Sequence, residues 1–91
     1  MDRRLSAAIV AYIWGEGSPL PGRHPERVPD PDLRARVEAV IRRLDAIRPD
    51  ETARDLLTWA DGQAAAVAAV SGGLAPEAVR ALRDLLSWEW R

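Results

Sequence analysis

The residue types that carry catalysis are sparse in this chain. His24 is the only histidine, and it precedes Pro25 in a proline-rich stretch, where a lone exposed histidine is usually inert. A serine nucleophile would have to use this histidine, and no serine lies on the strand-to-helix turn that activates such a residue. The chain has no cysteine, which excludes a thiolate nucleophile and a zinc ribbon. The sequence therefore predicts no catalytic residues and a protein that is not an enzyme.

Metal and phosphate sites are also weakly indicated. Asp50, Glu51 and Asp55 could supply oxygen ligands, but acids at the start of a helix are explained by the helix dipole and a solvated face. Gly15 and Gly17 follow a predicted helix rather than a strand, so they do not form a dinucleotide-binding turn. We expect no metal, no cofactor and no small-molecule substrate.

Tryptophan and arginine offer the best means of recognition. The chain has four Trp and no Phe, so much of its aromatic surface belongs to a few indoles. Tryptophan often anchors protein interfaces, and arginine is enriched there, with polar contacts at the rim. We predict a partner-binding surface anchored by Trp14, Trp88 and Trp90, with Arg23 and Arg27 as rim contacts that meet a carboxylate or phosphate.

Each of these residues also has a structural interpretation. Trp14 could pack between neighbouring helices, and the two C-terminal tryptophans could fix the chain end to the rest of the protein. The segment 15–30 is rich in proline and glycine, which excludes regular structure. It could serve only as a strap, with Leu20 and Val28 as its anchors.

The second helix is the best marked element of the chain. Apolar residues recur at spacings of three and four from Leu33 to Ile47, which places them along one side of a helix. Asp30 is a favourable N-cap, and Pro31 suits the first helical position. The pattern predicts a helix at about 31–47, whose apolar side must be covered by other elements.

Similar signals place three further helices, at about 2–14, 50–70 and 76–89. Gly62 lies inside the third, but the apolar pattern keeps its phase through it, which favours one helix over two shorter ones. The chain, 1–91, is therefore predicted to be a single all-α domain. Its architecture would be a small four-helix bundle with a long proline-rich loop, 15–30, between helix 1 and helix 2.

Composition limits the possible partners. The net charge of −1 gives no overall attraction to nucleic acid or to an anionic membrane. The longest apolar run, Ala7 to Trp14, is too short to span a bilayer, so we expect a cytoplasmic protein with no membrane partner. All basic residues are Arg and none is Lys, which is typical of a GC-rich bacterial genome. Sixteen of the hydrophobic residues are Ala, and such a thin core is often completed by oligomerisation.

One local pattern suggests a different function. Residues 65–84 resemble a helix-turn-helix, with Ala69 at the small position of the first helix and Gly73 at the turn. The protein would then be a DNA-binding transcriptional regulator, with Arg80 and Arg83 contacting a guanine edge or a phosphate.

The prediction that we favour is a non-catalytic protein–protein interaction module that forms a homodimer or binds another protein. Its excess apolar surface would come from helix one, the tryptophan-bearing C-terminus or the Ala-rich half of helix three. The DNA-binding regulator is the alternative, and it makes nucleic acid the second class of partner.

Overall fold

The computed structural model describes residues 2–49 and 55–90. Within these ranges the protein consists of helices and loops without a strand, which confirms the predicted all-α class. The four α-helices are α1 (Arg3–Trp14), α2 (Pro31–Asp45), α3 (Leu56–Val70) and α4 (Pro76–Trp90). A long loop joins α1 to α2, as predicted.

Aspartate caps fix the starts of three helices. Asp2, Asp30 and Asp55 each accept backbone N–H groups of the first helical turn, as N-cap residues do. Asp55 has an extended backbone and caps α3, which therefore begins at Leu56, so the prediction of one continuous helix at about 50–70 is wrong at Asp55. The predicted start at residue 50 lies outside the described residues. Beyond its start, α3 runs through Gly62 without a break.

The end of α1 requires a glycine. Gly15 has a φ of 59°, which side chains rarely tolerate, and its N–H closes the last turn on the carbonyl of Ala11 at 2.8 Å. A Cβ on Gly15 would lie 3.0 Å from the ring of His24. The histidine therefore packs directly on the turn that ends α1.

The segment 15–30 runs back along α1. The N–H of Gly22 donates to the carbonyl of Ile13 at 2.8 Å, and that of His24 donates to Tyr12 at 2.7 Å. Val28 is buried at 2% exposure and anchors the segment as predicted, whereas Leu20 is 47% exposed. The prediction of Leu20 as an anchor is therefore wrong, because this residue lies at the outward bend before the segment turns back.

One turn of this segment is regular. Pro25–Arg27 forms a 3₁₀-helix, so the prediction that proline excludes all regular structure from 15–30 is wrong at this point. The physical reason is that proline at the first position of a turn already has a helical φ and needs no donor there.

The starts of α1, α2 and α4 lie together. Arg4 of α1 pairs with Asp30 at the start of α2 at 2.7 Å, and Arg36 of α2 pairs with Asp2 at the start of α1. The turn before α4 joins them through Ser6, whose hydroxyl oxygen accepts the N–H of Ala75 at 2.8 Å. The length of the segment 15–30 is thus explained, because it returns the chain to the start of α1 before α2 begins.

The core lies among α1, α2 and α4. The largest fully buried apolar side chains all come from these three helices: Ile9, Ile13, Val37, Leu44, Leu82, Leu85 and Leu86. In contrast, α3 buries only small residues, namely Ala60, Ala64, Val67 and Ala68, and it packs mainly on α4. The outermost helix of the fold is therefore α3.

Candidate interaction surface

Two of the predicted anchors meet in one groove. Trp14 at the end of α1 and Trp88 near the end of α4 are both half-buried, and both line a groove of about 510 Å³. Leu56, Leu57 and Pro21 supply much of the remaining apolar lining. The structure thus brings together residues that are far apart in the sequence, and their role as partner contacts stays a prediction.

The third predicted anchor, Trp90, lies outside the lining of this groove. It is 38% exposed, and the guanidinium carbon of Arg48 lies 5.2 Å from the centre of its ring, as in a cation–π contact. Arg48 also donates to the carbonyl of Ile47, just after α2, at 3.1 Å. Trp90 is therefore held against the end of α2, with part of its ring still in solvent.

Arg23 already binds two carboxylates within the chain. Its guanidinium donates to both oxygens of Asp45, at 2.6 and 3.1 Å, and to Glu89 at 2.6 Å. These hydrogen bonds, first those to Asp45, raise the pKa of Arg23 above its usual value. Arg23 thus ties the segment 15–30 to the ends of α2 and α4.

Arg27 makes a simpler contact. It pairs with Glu16 at 2.6 Å, and both side chains are well exposed. Surface pairs of this kind contribute little to stability, so Arg27 is much less constrained than Arg23. Whether either arginine also meets a partner stays a prediction.

A further uncovered surface of the described residues lies along α3, which holds two of the exposed large hydrophobic residues, Leu57 and Val70. Its exposed residues are Leu57, Thr58, Asp61, Gly62, Ala65, Ala66, Ala69 and Val70, a set we name the α3 face. Asp61 is the single charged side chain of the helix. A helix that is apolar on all sides is normally buried on all sides, so the α3 face is unusual for a surface that meets water.

The α3 face has a regular shape. Its residues form two rows at a spacing of four, with the larger apolar side chains at its two ends and small ones between them. Leu57 is 51% exposed and Val70 is 68% exposed. Because Leu57 also lines the groove with the two tryptophans, the α3 face and that groove form one continuous surface.

The two arginines of the helix-turn-helix alternative, Arg80 and Arg83, lie on α4, the second helix of the hairpin. The hairpin turns at Gly72 and Gly73, both with positive φ, and Arg80 is exposed on α4. Arg83 is half-buried and donates to Asp84 at 3.0 and 3.1 Å. The arginine predicted to read DNA beside Arg80 is thus engaged with its own neighbour, and DNA binding stays a prediction.

The described residues offer no metal cluster of three or more His, Cys, Asp or Glu side chains. The Nε2 atom of His24 is buried without a hydrogen-bond partner in the described part of the chain, and Nδ1 lies 3.6 Å from Glu26. A second groove of about 560 Å³, between α1 and the start of α4, has Arg3 and Glu77 as its charged lining residues. Ser6 also lines this groove, and its hydroxyl donates to the carbonyl of Asp2 at 2.7 Å.

The described helices are also too short or too polar for any of them to cross a lipid bilayer.

Comparisons with protein-family models, curated proteins and solved structures gave no match to this chain. The signal for the α3 face is visible in the sequence, since Leu56–Val70 contains one charged residue, but periodicity alone does not say which side is left uncovered.

Proposed function

We propose that this chain is a non-catalytic protein–protein interaction module that self-associates through its uncovered apolar surface. The observation that carries the proposal is the α3 face, where one charged residue, Asp61, lies among small and apolar side chains exposed to water. Covering such a surface gains about 25 cal/mol for each square ångström of apolar area removed from water.

A second copy of this chain is the partner with the best physical support. The net charge is −1, so two copies meet without strong long-range repulsion. The α3 face itself carries no positive charge that would call for an acidic partner, and its single carboxylate gives little attraction to a basic one. Apolar contact between like surfaces is the interaction that remains, and two-fold pairing of identical surfaces is the commonest form of self-association.

The predicted tryptophans extend this surface. Trp14 and Trp88 reach it through the groove that Leu57 shares with the α3 face. Trp90 is a separate anchor, and its contact with Arg48 limits the freedom that the ring would lose on binding. Rigid aromatic side chains of this kind contribute strongly to interfaces.

The proposal is tested by measuring mass in solution over a range of concentrations. We expect the mean mass from sedimentation or light scattering to rise from 10.0 kDa towards twice that value. A range from about 1 µM to about 1 mM covers weak and moderate association. If the mass stays at that of one chain throughout, the proposal is wrong.

A matched pair of variants locates the surface. Val70→Asp places a charge on the α3 face, whereas Leu20→Asp places one on an exposed leucine of the segment 15–30. Neither side chain is in the core, so both variants should keep the helical circular dichroism of the wild type. We expect Val70→Asp to weaken self-association at least about tenfold, equal to about 1.4 kcal/mol, and Leu20→Asp to leave it unchanged.

A further inference from the structure

We propose that the groove lined by Trp14 and Trp88, which we name the tryptophan groove, binds a small soluble organic cation with a quaternary ammonium group. Asp84 lines the same groove, so two aromatic rings and a carboxylate are offered to one ligand. The negative face of an aromatic ring attracts a cation, and indole does so most strongly. The ligand is bound without chemical change, and the inference does not depend on self-association through the α3 face.

The fold brings the two indoles to the same level. The helices α1 and α4 begin at one end of the protein, where Ser6 accepts the N–H of Ala75. Trp14 is the twelfth residue of α1, and Trp88 is the thirteenth of α4. Because each residue advances a helix by about 1.5 Å, both tryptophans lie about 17–18 Å from the helix starts. The groove that they share, about 510 Å³, has the usual size of a small-molecule site.

The charge of the tryptophan groove selects a cation. Among the described residues that line it, Asp84 alone is charged. Asp84 precedes Trp88 by one turn of α4, so the carboxylate and this indole lie on the same side of the helix. The Oδ1 atom of Asp84 accepts two N–H groups of Arg83, at 3.0 and 3.1 Å. This contact leaves Oδ2 without a donor in the described part of the chain, and the carboxylate is 30% exposed.

The sparse polar lining favours an alkylated cation over a protonated one. Besides Asp84 and the indole N–H groups, the polar side chain of the described lining is Ser87, whose hydroxyl donates to the carbonyl of Asp84 at 3.2 Å. A primary ammonium or a guanidinium would bring about three to five N–H donors, and most of them would lose water without finding an acceptor. A quaternary ammonium has no N–H group, and its methyl groups suit the apolar lining of Pro21, Leu56 and Leu57.

Choline and its neutral isostere 3,3-dimethyl-1-butanol separate charge from shape, because a quaternary nitrogen in one replaces a carbon in the other. We would titrate each into the protein at constant ionic strength and follow the indole N–H signals by NMR. We expect choline to shift the signals of Trp14 and Trp88 but not that of Trp90, with a dissociation constant on the order of millimolar. The isostere should bind at least about tenfold more weakly. Equal affinities for the two molecules would overturn the proposal.

Two neighbouring substitutions test the carboxylate with opposite signs. Asp84→Asn removes the charge, and we expect it to weaken choline binding at least about fivefold. Arg83→Gln removes the cation that shares Asp84, and we expect it to strengthen binding at least about threefold at low salt.

Asp61→Asn is the matched control, because Asp61 is an exposed carboxylate of α3 outside the lining of the tryptophan groove. We expect it to leave the affinity unchanged, and all three variants to keep the helical circular dichroism of the wild type. If Asp84→Asn binds choline as well as Asp61→Asn does, or if Arg83→Gln weakens binding, Asp84 is not part of the site and the proposal is wrong.

The outcomes are separate from those of the proposed function. Titrations at a concentration where the mass is that of one chain measure the groove alone, so a protein that never dimerises leaves this inference standing. Indole signals that stay unchanged up to about 100 mM choline overturn it, while self-association stands. Vesicles of phosphatidylcholine carry the same group on a lipid. If the protein sediments with them but gives no shift with choline, the ligand is a lipid headgroup and the choice of a small soluble molecule is wrong.

Discussion

Ser6 joins the α3–α4 hairpin to α1, and its removal gives a sharp prediction. Its hydroxyl oxygen accepts the N–H of Ala75 at 2.8 Å, and its O–H donates to the carbonyl of Asp2 at 2.7 Å. Ser6 is 2% exposed and Ala75 is 7% exposed, so water has little access to this contact. The bond fixes the turn that orients both helices of the hairpin, and therefore the α3 face.

The cost of Ser6→Ala can be worked out from these contacts. The carbonyl of Asp2 keeps a hydrogen bond from the backbone N–H of Ser6 at 3.0 Å, so it is not left unpaired. The N–H of Ala75 loses its acceptor while it stays buried, which costs about 1–3 kcal/mol. For a chain of this size, 1 kcal/mol corresponds to about 5 °C in Tm, so we expect Tm to fall by about 5–15 °C.

Thermal and urea unfolding followed by circular dichroism would measure this effect. Ser18→Ala is the matched control, because the hydroxyl of Ser18 bonds the nearby backbone of Leu20 in an exposed loop. We expect the control to lose less than about 0.5 kcal/mol. Both should be compared at one low protein concentration, since self-association raises apparent stability. If the two variants are equally stable, the reasoning about a buried, unpaired N–H is refuted.

Three further predictions follow from the ion pairs and the caps. Arg23→Ala should lower the free energy of unfolding by about 1 kcal/mol, a value already reduced for solvent screening, and Arg27→Ala by less than half of that. Equal losses in urea unfolding would contradict the role of Arg23 in joining the segment 15–30 to α2 and α4. The pKa of Asp30 lies below its usual 3.8, first because the N–H of Leu33 bonds it, so its stabilisation is present above that value and lost as pH falls through the folded-state pKa. The Asp30→Asn variant should therefore lose stability less steeply in acid than the wild type, and parallel pH curves would disprove this. Finally, we expect no shift of duplex DNA at low salt; a salt-sensitive shift abolished by Arg80→Ala would favour the DNA-binding alternative instead.

The starts of α1, α2 and α4 could be predicted because their signals are local. Asp30 with Pro31 marks the start of α2 from two adjacent residues, and the cap geometry follows from their chemistry alone. Gly15 similarly marks the end of α1. The last helical residue of α2 was harder to place, since the helix ends at Asp45, two residues before the end of its apolar stripe. Helix ends depend on tertiary contacts as well as on sequence.

The candidate surface was only partly predictable because it depends on contacts between distant residues. Nothing local places Trp14 beside Trp88, or joins Arg23 to Glu89 across much of the chain. The sequence does contain the composition of α3, with its one charge at Asp61. Which side of that helix meets water is decided by how the other three helices pack, and this cannot be obtained from periodicity.

The chain path explains why α3 is the uncovered helix. The segment 15–30 returns to the start of α1, so α2 packs on α1 from the same end, and α4 packs on α1 as well. Because α4 also begins near the start of α1, the chain must return to that end after α2. The helix that makes this return is α3, and it lies on the outside of α4. A helix in this position needs either a polar outer side or a second molecule to cover it. Apart from Thr58 and Asp61, the residues of the α3 face are small or apolar, which is the reason that we propose the second solution.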